Sequence, residues 1–333
     1  MSQPDTPAIT VETLSKTYRV PEREGGMGAA VRSFFRRKYR DVPAVHEVSF
    51  RIASGEIVGF LGPNGAGKTT TLKMLSGLLH PTGGQATVLG FTPWDRKSDF
   101  LRAITLVMGQ RNRLSWDIPA ADSFLLNQAI YRLTDAEYKR TLDELNELLD
   151  LQPIIKKPVR NLSLGERMKC ELAAGLLHRP KVLFLDEPTI GLDITAQARI
   201  RAFLREYNRR TGATILLTSH YMADVTALCE RIIMIHHGRL KYDGGIAQLS
   251  QRIAPVKLID VTLLDGAPAD LSRYGTLLPA ENGGGQRRIQ VPADEVAMIT
   301  ARLLSDLPVQ DLTIEDVPIE DVIERAFHEE AAP

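Results

Sequence analysis

The chain has 333 residues, enough for one large domain and a smaller one, and its 41 basic and 41 acidic side chains give a formal net charge of zero. That balance leaves no excess positive charge for a nucleic acid, so we expect no nucleic-acid partner. No apolar run approaches the ~20 residues that span a bilayer, which indicates that any membrane-spanning part would belong to another chain.

The first predicted elements are strands at residues 8–20 and 44–60, where apolar and polar side chains alternate. A Gly-rich and then basic insertion at 21–42 separates them. Two interpretations fit its composition: a solvated loop with a few anchoring aromatic residues, or an amphipathic surface helix that meets lipid headgroups or a membrane partner. Its basic and aromatic residues are Arg32, Phe34, Phe35, Arg36, Arg37, Lys38, Tyr39 and Arg40.

A phosphate-binding motif follows at residues 62–69, which match G-x-x-x-x-G-K-[ST]. Residues 56–61 predict a short buried strand before it and residues 69–79 predict a helix after it, the context that the motif requires. Glycines let successive N–H groups converge on a phosphate, and the helix N-terminus adds its positive end. Lys68 would reach the β- and γ-phosphates and Thr69 would ligate Mg²⁺, which predicts binding of ATP or GTP. The predicted nucleotide-binding residues here are Gly62, Pro63, Asn64, Gly65, Ala66, Gly67, Lys68, Thr69 and Thr70.

The segments after the motif alternate between strands and helices, which predicts an α/β sheet. Residues 120–177 form a helix-rich block, with Leu142, Leu145 and Leu149 at helical spacing as a core stripe. Two of the predicted strands are continuous apolar runs, typical of parallel strands buried on both faces. The predicted strands of this part are 86–89, 104–109, 181–185 and 213–218.

Two adjacent carboxylates, Asp186 and Glu187, end one of these apolar strands and are followed by Pro188. Ligands gather at the carboxyl ends of parallel strands, which would place both acids beside the phosphate loop. Asp186 suits holding Mg²⁺, and Glu187 suits polarising the water that attacks the terminal phosphate. The plain alternative is an Asp-Glu pair that opens a turn before Pro188.

A third motif, Leu-Ser-Leu-Gly-Glu, stands at residues 162–166. With this motif the chain resembles the ATP-binding subunits of ABC transporters, whose signature loop runs Leu-Ser-Gly-Gly-Gln. The sequence departs from that pattern at Leu164 and Glu166. Ser163 and Gly165 match, and in the family these positions touch the γ-phosphate bound by the opposite subunit. The same segment is also a capping box, S-x-x-E, for a following helix, and the two interpretations are compatible.

Four further residues match motifs of that family, in the family's order. Gln110 ends a predicted strand, where the family's Q-loop glutamine senses Mg²⁺ and connects to the membrane partner. Asp193 matches the D-loop, and it is also a plain N-cap for the helix that follows. His220 matches the switch histidine near the γ-phosphate, and Tyr18 matches the aromatic residue that stacks on adenine.

The resemblance covers residues 8–250 and implies an α/β P-loop NTPase core of the ABC ATPase type, with an antiparallel β subdomain and a helical subdomain. We therefore expect a nucleotide-binding domain at 1–250 and a small accessory or regulatory α+β domain at 255–333. In this second domain we predict strands at 256–264, 288–291 and 309–317, and helices at 293–304 and after Pro318.

The resemblance implies a subunit that binds and hydrolyses ATP with Mg²⁺, in which Lys68, Glu187 and His220 are catalytic. Thr69, Gln110 and Asp186 would surround the metal. It further implies a head-to-tail dimer, formed with a second copy or a paralogous subunit at the cytoplasmic face of the plasma membrane. The appended tail and the Leu-containing signature are most similar to the ATPases of ABC-2-type export systems, whose permeases are separate chains.

Two alternatives remain open within the family. One is the ATPase of an importer. The other is a soluble ABC ATPase that acts in translation or DNA repair. Translation-type members usually carry two ATPase cores, and this chain has one. Repair types insert a long coiled coil, for which the 95 positions between Lys68 and Ser163 leave no room.

Overall fold

The computed structural model describes residues 7–21, 39–109, 113–264, 270–279 and 286–328. Most of the predicted basic insertion, residues 22–38, lies outside the described residues, and so does Gln110. The chain forms two compact units, 1–243 and 244–333. Among the described residues, no helix has both the length and the apolar character needed to cross a membrane.

The described part of the first unit forms two sheets. In chain order, its strands are β1 (Ile9–Pro21), β2 (Tyr39–Ile52), β3 (Ile57–Leu61), β4 (Gly83–Val88), β5 (Ile104–Met108), β6 (Val182–Asp186), β7 (Thr214–Thr218), β8 (Arg231–His236) and β9 (Arg239–Gly245). An antiparallel sheet has the order β2-β1-β4, and a larger sheet has the order β5-β6-β7-β3-β8-β9. The pairs from β5 to β8 are parallel. Every residue of β6 and β7 is buried, as predicted for strands covered on both faces.

The residues predicted as a strand at 44–60 form two elements, β2 and β3, in two different sheets, and β3 is the short buried strand predicted at 56–61. Gly55 turns the chain between them with a φ of 80°, a left-handed conformation that glycine adopts freely. The turn is held by hydrogen bonds from Ala53 N to Glu56 Oε2 (3.0 Å) and from Gly55 N to Thr214 Oγ1 (2.9 Å). The alternating pattern alone did not reveal this turn.

The described helices of the first unit, in chain order, are α1 (Lys68–Leu75), α2 (Ser98–Ala103), α3 (Ala120–Tyr131), α4 (Asp135–Leu149), α5 (Leu164–Leu176), α6 (Ile194–Thr211) and α7 (Met222–Leu228). The predicted helix-rich block is confirmed, and the α4 stripe buries Leu145 and Leu149. The helix after the phosphate loop ends at Leu75, before the predicted limit of 79. Gly77 follows it with a φ of 72°, so close to the next segment that a Cβ would lie 2.3 Å from the carbonyl oxygen of Pro93.

The second unit is an antiparallel sheet with helices. Its described helices and strands are α8 (Ile246–Ile253), β10 (Val256–Leu263), β11 (Thr276–Leu278), β12 (Gln286–Pro292), α9 (Val296–Asp306), β13 (Val309–Asp316) and α10 (Ile319–His328). The strand order is β11-β12-β10-β13. Ile259, Val261 and Ile289 form its core with Ile299 and Leu303 of α9. The α+β class predicted for this part of the chain is confirmed.

Two details of the second unit differ from the sequence expectation. The short strand β11 was not predicted. The helix predicted to start at 293 starts at Val296, because the preceding residues form a turn in which Ala293 N donates to Pro255 O (3.0 Å) and Glu295 N donates to Pro292 O (3.2 Å).

Candidate functional site

The phosphate loop is a tight backbone cradle between β3 and α1. Gly65 and Gly67 have positive φ values of 80° and 105°. A Cβ at Gly67 would lie 2.4 Å from the carbonyl oxygen of Ala44, and one at Gly62 would lie 2.3 Å from that of Ile235. Glycine is therefore required at both positions, because the loop is pressed against the backbone of β8 and of the strand that carries Ala44. The cradle that the motif predicts is present.

Lys68 points its ammonium group into this loop and is only 6% exposed. Its Nζ donates to the carbonyl oxygens of Gly62 (2.5 Å) and Pro63 (3.1 Å). Burial lowers its pKa, while the negative charges of Glu187 and Asp186 act in the opposite direction. The loop carbonyl oxygens thus accept the hydrogen bonds from Lys68 that phosphate oxygens would accept.

Asp186 lies at the end of β6, 8% exposed, between two hydroxyl groups. Thr69 Oγ1 donates to its Oδ2 (2.9 Å), and Thr218 Oγ1 donates to its Oδ1 (2.8 Å). The paired Thr69 hydroxyl and Asp186 carboxylate are hard oxygen donors, which is the ligand chemistry that Mg²⁺ prefers. Sequence reasoning missed Thr218, although its place follows from the parallel register that pairs it with Asp186.

Glu187 and His220 are brought together by the ends of β6 and β7. Glu187 has a φ of 55°, and its N–H donates to both the carbonyl oxygen and the Oγ1 of Thr218 (3.1 Å each). Its Oε1 lies 2.7 Å from Nε2 of His220. Two residues 33 positions apart in the chain therefore form one contact beside the phosphate loop. The left-handed backbone is the kind of local strain that concentrates at functional sites.

Ser163 and Asp193 each cap a helix. Ser163 Oγ accepts from Glu166 N (3.2 Å), and Glu166 Oε2 accepts from Ser163 N (2.8 Å), so the predicted capping box is confirmed. Asp193 Oδ1 accepts from Ala196 N (2.8 Å) at the start of α6. A Cβ at Gly165 would lie 3.1 Å from the Cβ of Ala196, which places the two helix N-termini side by side.

Tyr18 and Gln110 have different outcomes. Tyr18 lies on β1 opposite Val42, is 37% exposed, and carries Lys16 Nζ 5.5 Å from its ring centroid. Its ring is accessible for stacking. Gln110 is outside the described residues. Arg113, three positions further on, is held by Glu171 of α5, a carboxylate that sequence reasoning missed, which accepts from Arg113 N at 2.9 and 3.0 Å.

Comparison with known proteins agrees with this geometry. The model of the ABC transporter family matches residues 45–190, and that of the EvrA-like ABC transporter C-terminal domain matches residues 255–315. The ABC transporter ATP-binding protein NatA of Bacillus subtilis is 37% identical over 215 residues, covering 65% of this chain and 87% of NatA. The doxorubicin resistance ATP-binding protein DrrA of Mycobacterium tuberculosis is 32% identical over 297 residues, covering 87% of this chain and 83% of DrrA.

A solved structure of the ATP-binding subunit of an ABC transporter superposes with a TM-score of 0.60 at 25% identity, over 74% of this chain and 92% of that one. The chain belongs to the ABC transporter family, as one of its ATP-binding subunits. It is an ATPase with the P-loop NTPase fold of that family, which confirms the predicted fold class and enzyme class.

Proposed function

We propose that this protein powers export through separate ABC-2-type permease subunits at the cytoplasmic face of the plasma membrane. The observation that supports its role as the ATP-hydrolysing subunit is the convergence of Lys68, the Thr69–Asp186 pair and the Glu187–His220 pair at the carboxyl edge of one parallel sheet. Export is favoured over import because the alignment with a resistance protein extends over 87% of the chain, well into the second unit.

The site residues divide the chemistry between them. Lys68 binds the β- and γ-phosphates, while Thr69 and Asp186 hold Mg²⁺, which supplies charge neutralisation when bound. Glu187 orients and polarises the attacking water. Lys68 and His220 stabilise the charge that develops on the transferring phosphoryl group. The 2.7 Å contact between Glu187 and His220 keeps base and imidazole on the same side of the site.

The remaining predicted residues complete the site in a head-to-tail dimer. Tyr18 stacks on adenine in its own subunit. Ser163 and Gly165, at the N-terminus of α5, contact the γ-phosphate bound by the partner, and Asp193 lies beside them. A helix N-terminus favours an anion through its free N–H groups and its dipole. Contacts that exist only in the closed state let ATP shift the population towards the dimer.

The permease docks, in this proposal, against a groove of about 680 Å³ in the first unit. Its lining combines apolar side chains with several arginine side chains. Representative lining residues are Leu101, Arg102, Ile104, Arg113, Ile130 and Tyr131. Because Arg113 follows Gln110 by three positions and bonds to Glu171, movement at the nucleotide would pass from the Q-loop to this groove.

The test is reconstitution with a candidate ABC-2-type permease. The wild type and Glu187→Gln are each co-expressed with it and assayed in proteoliposomes for membrane association and ATP turnover. We expect both forms to bind the membrane only with the permease, and only the wild type to turn over. Membrane association and turnover that ignore the permease would support the soluble ABC ATPase instead. Transport into the compartment that contains ATP would support an importer.

A further inference from the structure

One buried carboxylate has no role in the proposed function and accepts hydrogen bonds from residues that neighbour Glu187 and His220 in the chain. Asp224, on α7, is 1% exposed. It accepts hydrogen bonds from three side chains: the Thr189 hydroxyl at its Oδ2, the Ser219 hydroxyl at the same oxygen (2.7 Å), and Arg201 at its Oδ1 (2.8 Å).

Two of the three donors belong to the loops that carry the proposed catalytic pair. Thr189 is two residues after Glu187, and Ser219 directly precedes His220. One oxygen of Asp224 therefore joins the loop that follows β6 to the loop that follows β7. A second tie between the two segments runs through the Thr218 hydroxyl, which accepts from Glu187 N (3.1 Å) and donates to Asp186 Oδ1 (2.8 Å).

Arg201 supplies the charge that lets this carboxylate stay buried. Its side chain is 16% exposed, against 1% for that of Asp224, and the two groups form an ion pair. A buried charge is costly unless it is paired and its oxygens accept hydrogen bonds. Here Oδ1 of Asp224 accepts from Arg201, and Oδ2 accepts from the hydroxyl groups of Thr189 and Ser219. The arrangement fits a carboxylate that holds two loops in register.

We propose that Asp224 is a positioning residue for ATP hydrolysis, which sets the distance between Glu187 and His220 by tying Thr189 and Ser219 to one oxygen. Asp224 does not touch nucleotide; it acts through the two loops. The proposal rests on the catalytic roles proposed above for Glu187 and His220. Because it concerns the geometry of the chemical step, it predicts a loss of kcat and not of nucleotide affinity.

The test uses the two donors, because Asp224 itself cannot be replaced without leaving Arg201 unpaired. Thr189→Val and Ser219→Ala each remove one hydroxyl and keep the ion pair. The control is Thr226→Val on α7, the helix that carries Asp224. The hydroxyl of Thr226 donates to the backbone oxygen of Met222 (3.1 Å) and not to Asp224. Steady-state kcat per folded protein and the Kd for ATP are measured for each variant and for the double variant.

We expect each donor variant to lower kcat by about tenfold, the scale of a small misplacement of catalytic groups, with the Kd for ATP within about twofold of the wild type. The double variant should lose less than the product of the two, because both hydroxyls act through one oxygen. Thr226→Val should leave kcat unchanged.

Two outcomes overturn the proposal. One is a kcat within twofold of the wild type in both donor variants. The other is a loss of turnover matched by a loss of ATP affinity or of folded protein, which is the result of a merely structural role. Glu187→Gln distinguishes a failure of the proposal for Asp224 from a failure of the catalytic roles proposed for Glu187 and His220. If that variant is inactive while the donor variants are normal, only the role of Asp224 is lost. If it turns over normally, the proposed catalytic assignment itself fails.

Discussion

Lys68 shows how a short motif fixes the position of one charge. The loop glycines bring the carbonyl oxygens of Gly62 and Pro63 within hydrogen-bonding distance of its ammonium group, so the charge is held inside the cradle. Burial alone would favour the neutral amine, and the nearby carboxylates of Asp186 and Glu187 oppose that effect. A charged group held in place in this way is preorganised for phosphate.

Removal of this charge should abolish nucleotide binding. We expect Lys68→Ala to weaken the affinity for ATP by on the order of 10²-fold or more, because a charge-assisted contact is lost and the loop carbonyls remain unpaired. Calorimetric titration with ATP measures the affinity. Lys73→Ala, on the same helix, is the charge-matched control and should bind normally. Unchanged ATP affinity in Lys68→Ala would contradict the assignment of the cradle.

His178 gives the first unit a pH-dependent stability. Its ring stacks on Tyr131 at a centroid distance of 3.8 Å, and its Nε2 lies 3.0 Å from the carbonyl oxygen of Ile104. Its Nδ1 is buried without a hydrogen-bonding partner in the described part of the chain. Burial lowers the pKa of His178 from 6.5 to about 4. The folded state favours the neutral ring, so this stability is complete above about pH 6.5 and is lost as the pH falls towards 4.

We therefore expect the free energy of unfolding of His178→Gln to decrease less than that of the wild type as the pH falls from about 6.5 to 4. A single group with such a shift contributes about 3 kcal/mol across this pH range. Denaturant titrations at pH 7 and pH 4.5 measure the difference, with the exposed His328→Gln as the control. Equal slopes in the wild type and His178→Gln would assign the acid sensitivity to other groups.

At the same scale, sequence reasoning found the residues that carry a motif and missed those that act through another residue. Thr218 is recognisable only once β6 and β7 are in register. Asp224 is an acid in the first turn of a helix, where acids are ordinarily favourable, so its sequence position carries no signal. Its burial and its three partners come from separate segments of the chain.

At the scale of elements, the N-terminus of α5 combines two roles that a single substitution can separate. Ser163 caps the helix in its own subunit and, in the proposed dimer, faces the partner's triphosphate. Aspartate is as good an N-cap as serine, whereas alanine is poor and costs about 1 kcal/mol. Aspartate, however, would place a negative charge against the phosphates.

We expect Ser163→Asp to keep the stability of the wild type within about 0.5 kcal/mol and to lose the ATP-dependent dimer. Ser163→Ala should lower stability by about 1 kcal/mol and weaken the dimer less. Denaturant midpoints and size-exclusion chromatography, both in the Glu187→Gln background, measure the two effects. A Ser163→Asp variant that dimerises as fully as its parent would show that this helix end does not meet the nucleotide.

Elements with a continuous local signal could be predicted, and those defined by distant pairing could not. The strand, loop and helix around Lys68 follow from one unbroken segment, and β6 and β7 from their apolar runs. The turn at Gly55 and the short strand β11 were missed. The turn interrupts an alternating pattern that looks continuous, and β11 gains its identity only from pairing with β12.

At the scale of the whole molecule, the proposed dimer explains why groups with phosphate chemistry occur at two places in the first unit. Lys68 and the Glu187–His220 pair lie at the phosphate loop, whereas Ser163 and Asp193 lie at two adjoining helix N-termini. Within one subunit, the described contacts of the first set do not involve the residues of the second set. A second copy would bring the two sets together around each nucleotide. The sequence indicated this dimer only through the family resemblance.

Turnover should depend on Glu187 far more strongly than nucleotide binding does. We expect Glu187→Gln to bind ATP with the affinity of the wild type and to lose on the order of 10²–10⁴-fold in kcat, because the amide cannot act as a general base. The rate of phosphate release under saturating ATP measures kcat. Turnover close to that of the wild type would remove Glu187 from its role.

The most direct measurement is the mass of Glu187→Gln in solution, by size-exclusion chromatography with light scattering, with and without Mg²⁺ and ATP. We predict the mass of one protomer without nucleotide and twice that mass with it, and a return to one protomer when Ser163→Asp is added. A single-protomer mass in both conditions, at high protein concentration and with the permease supplied, would contradict the account.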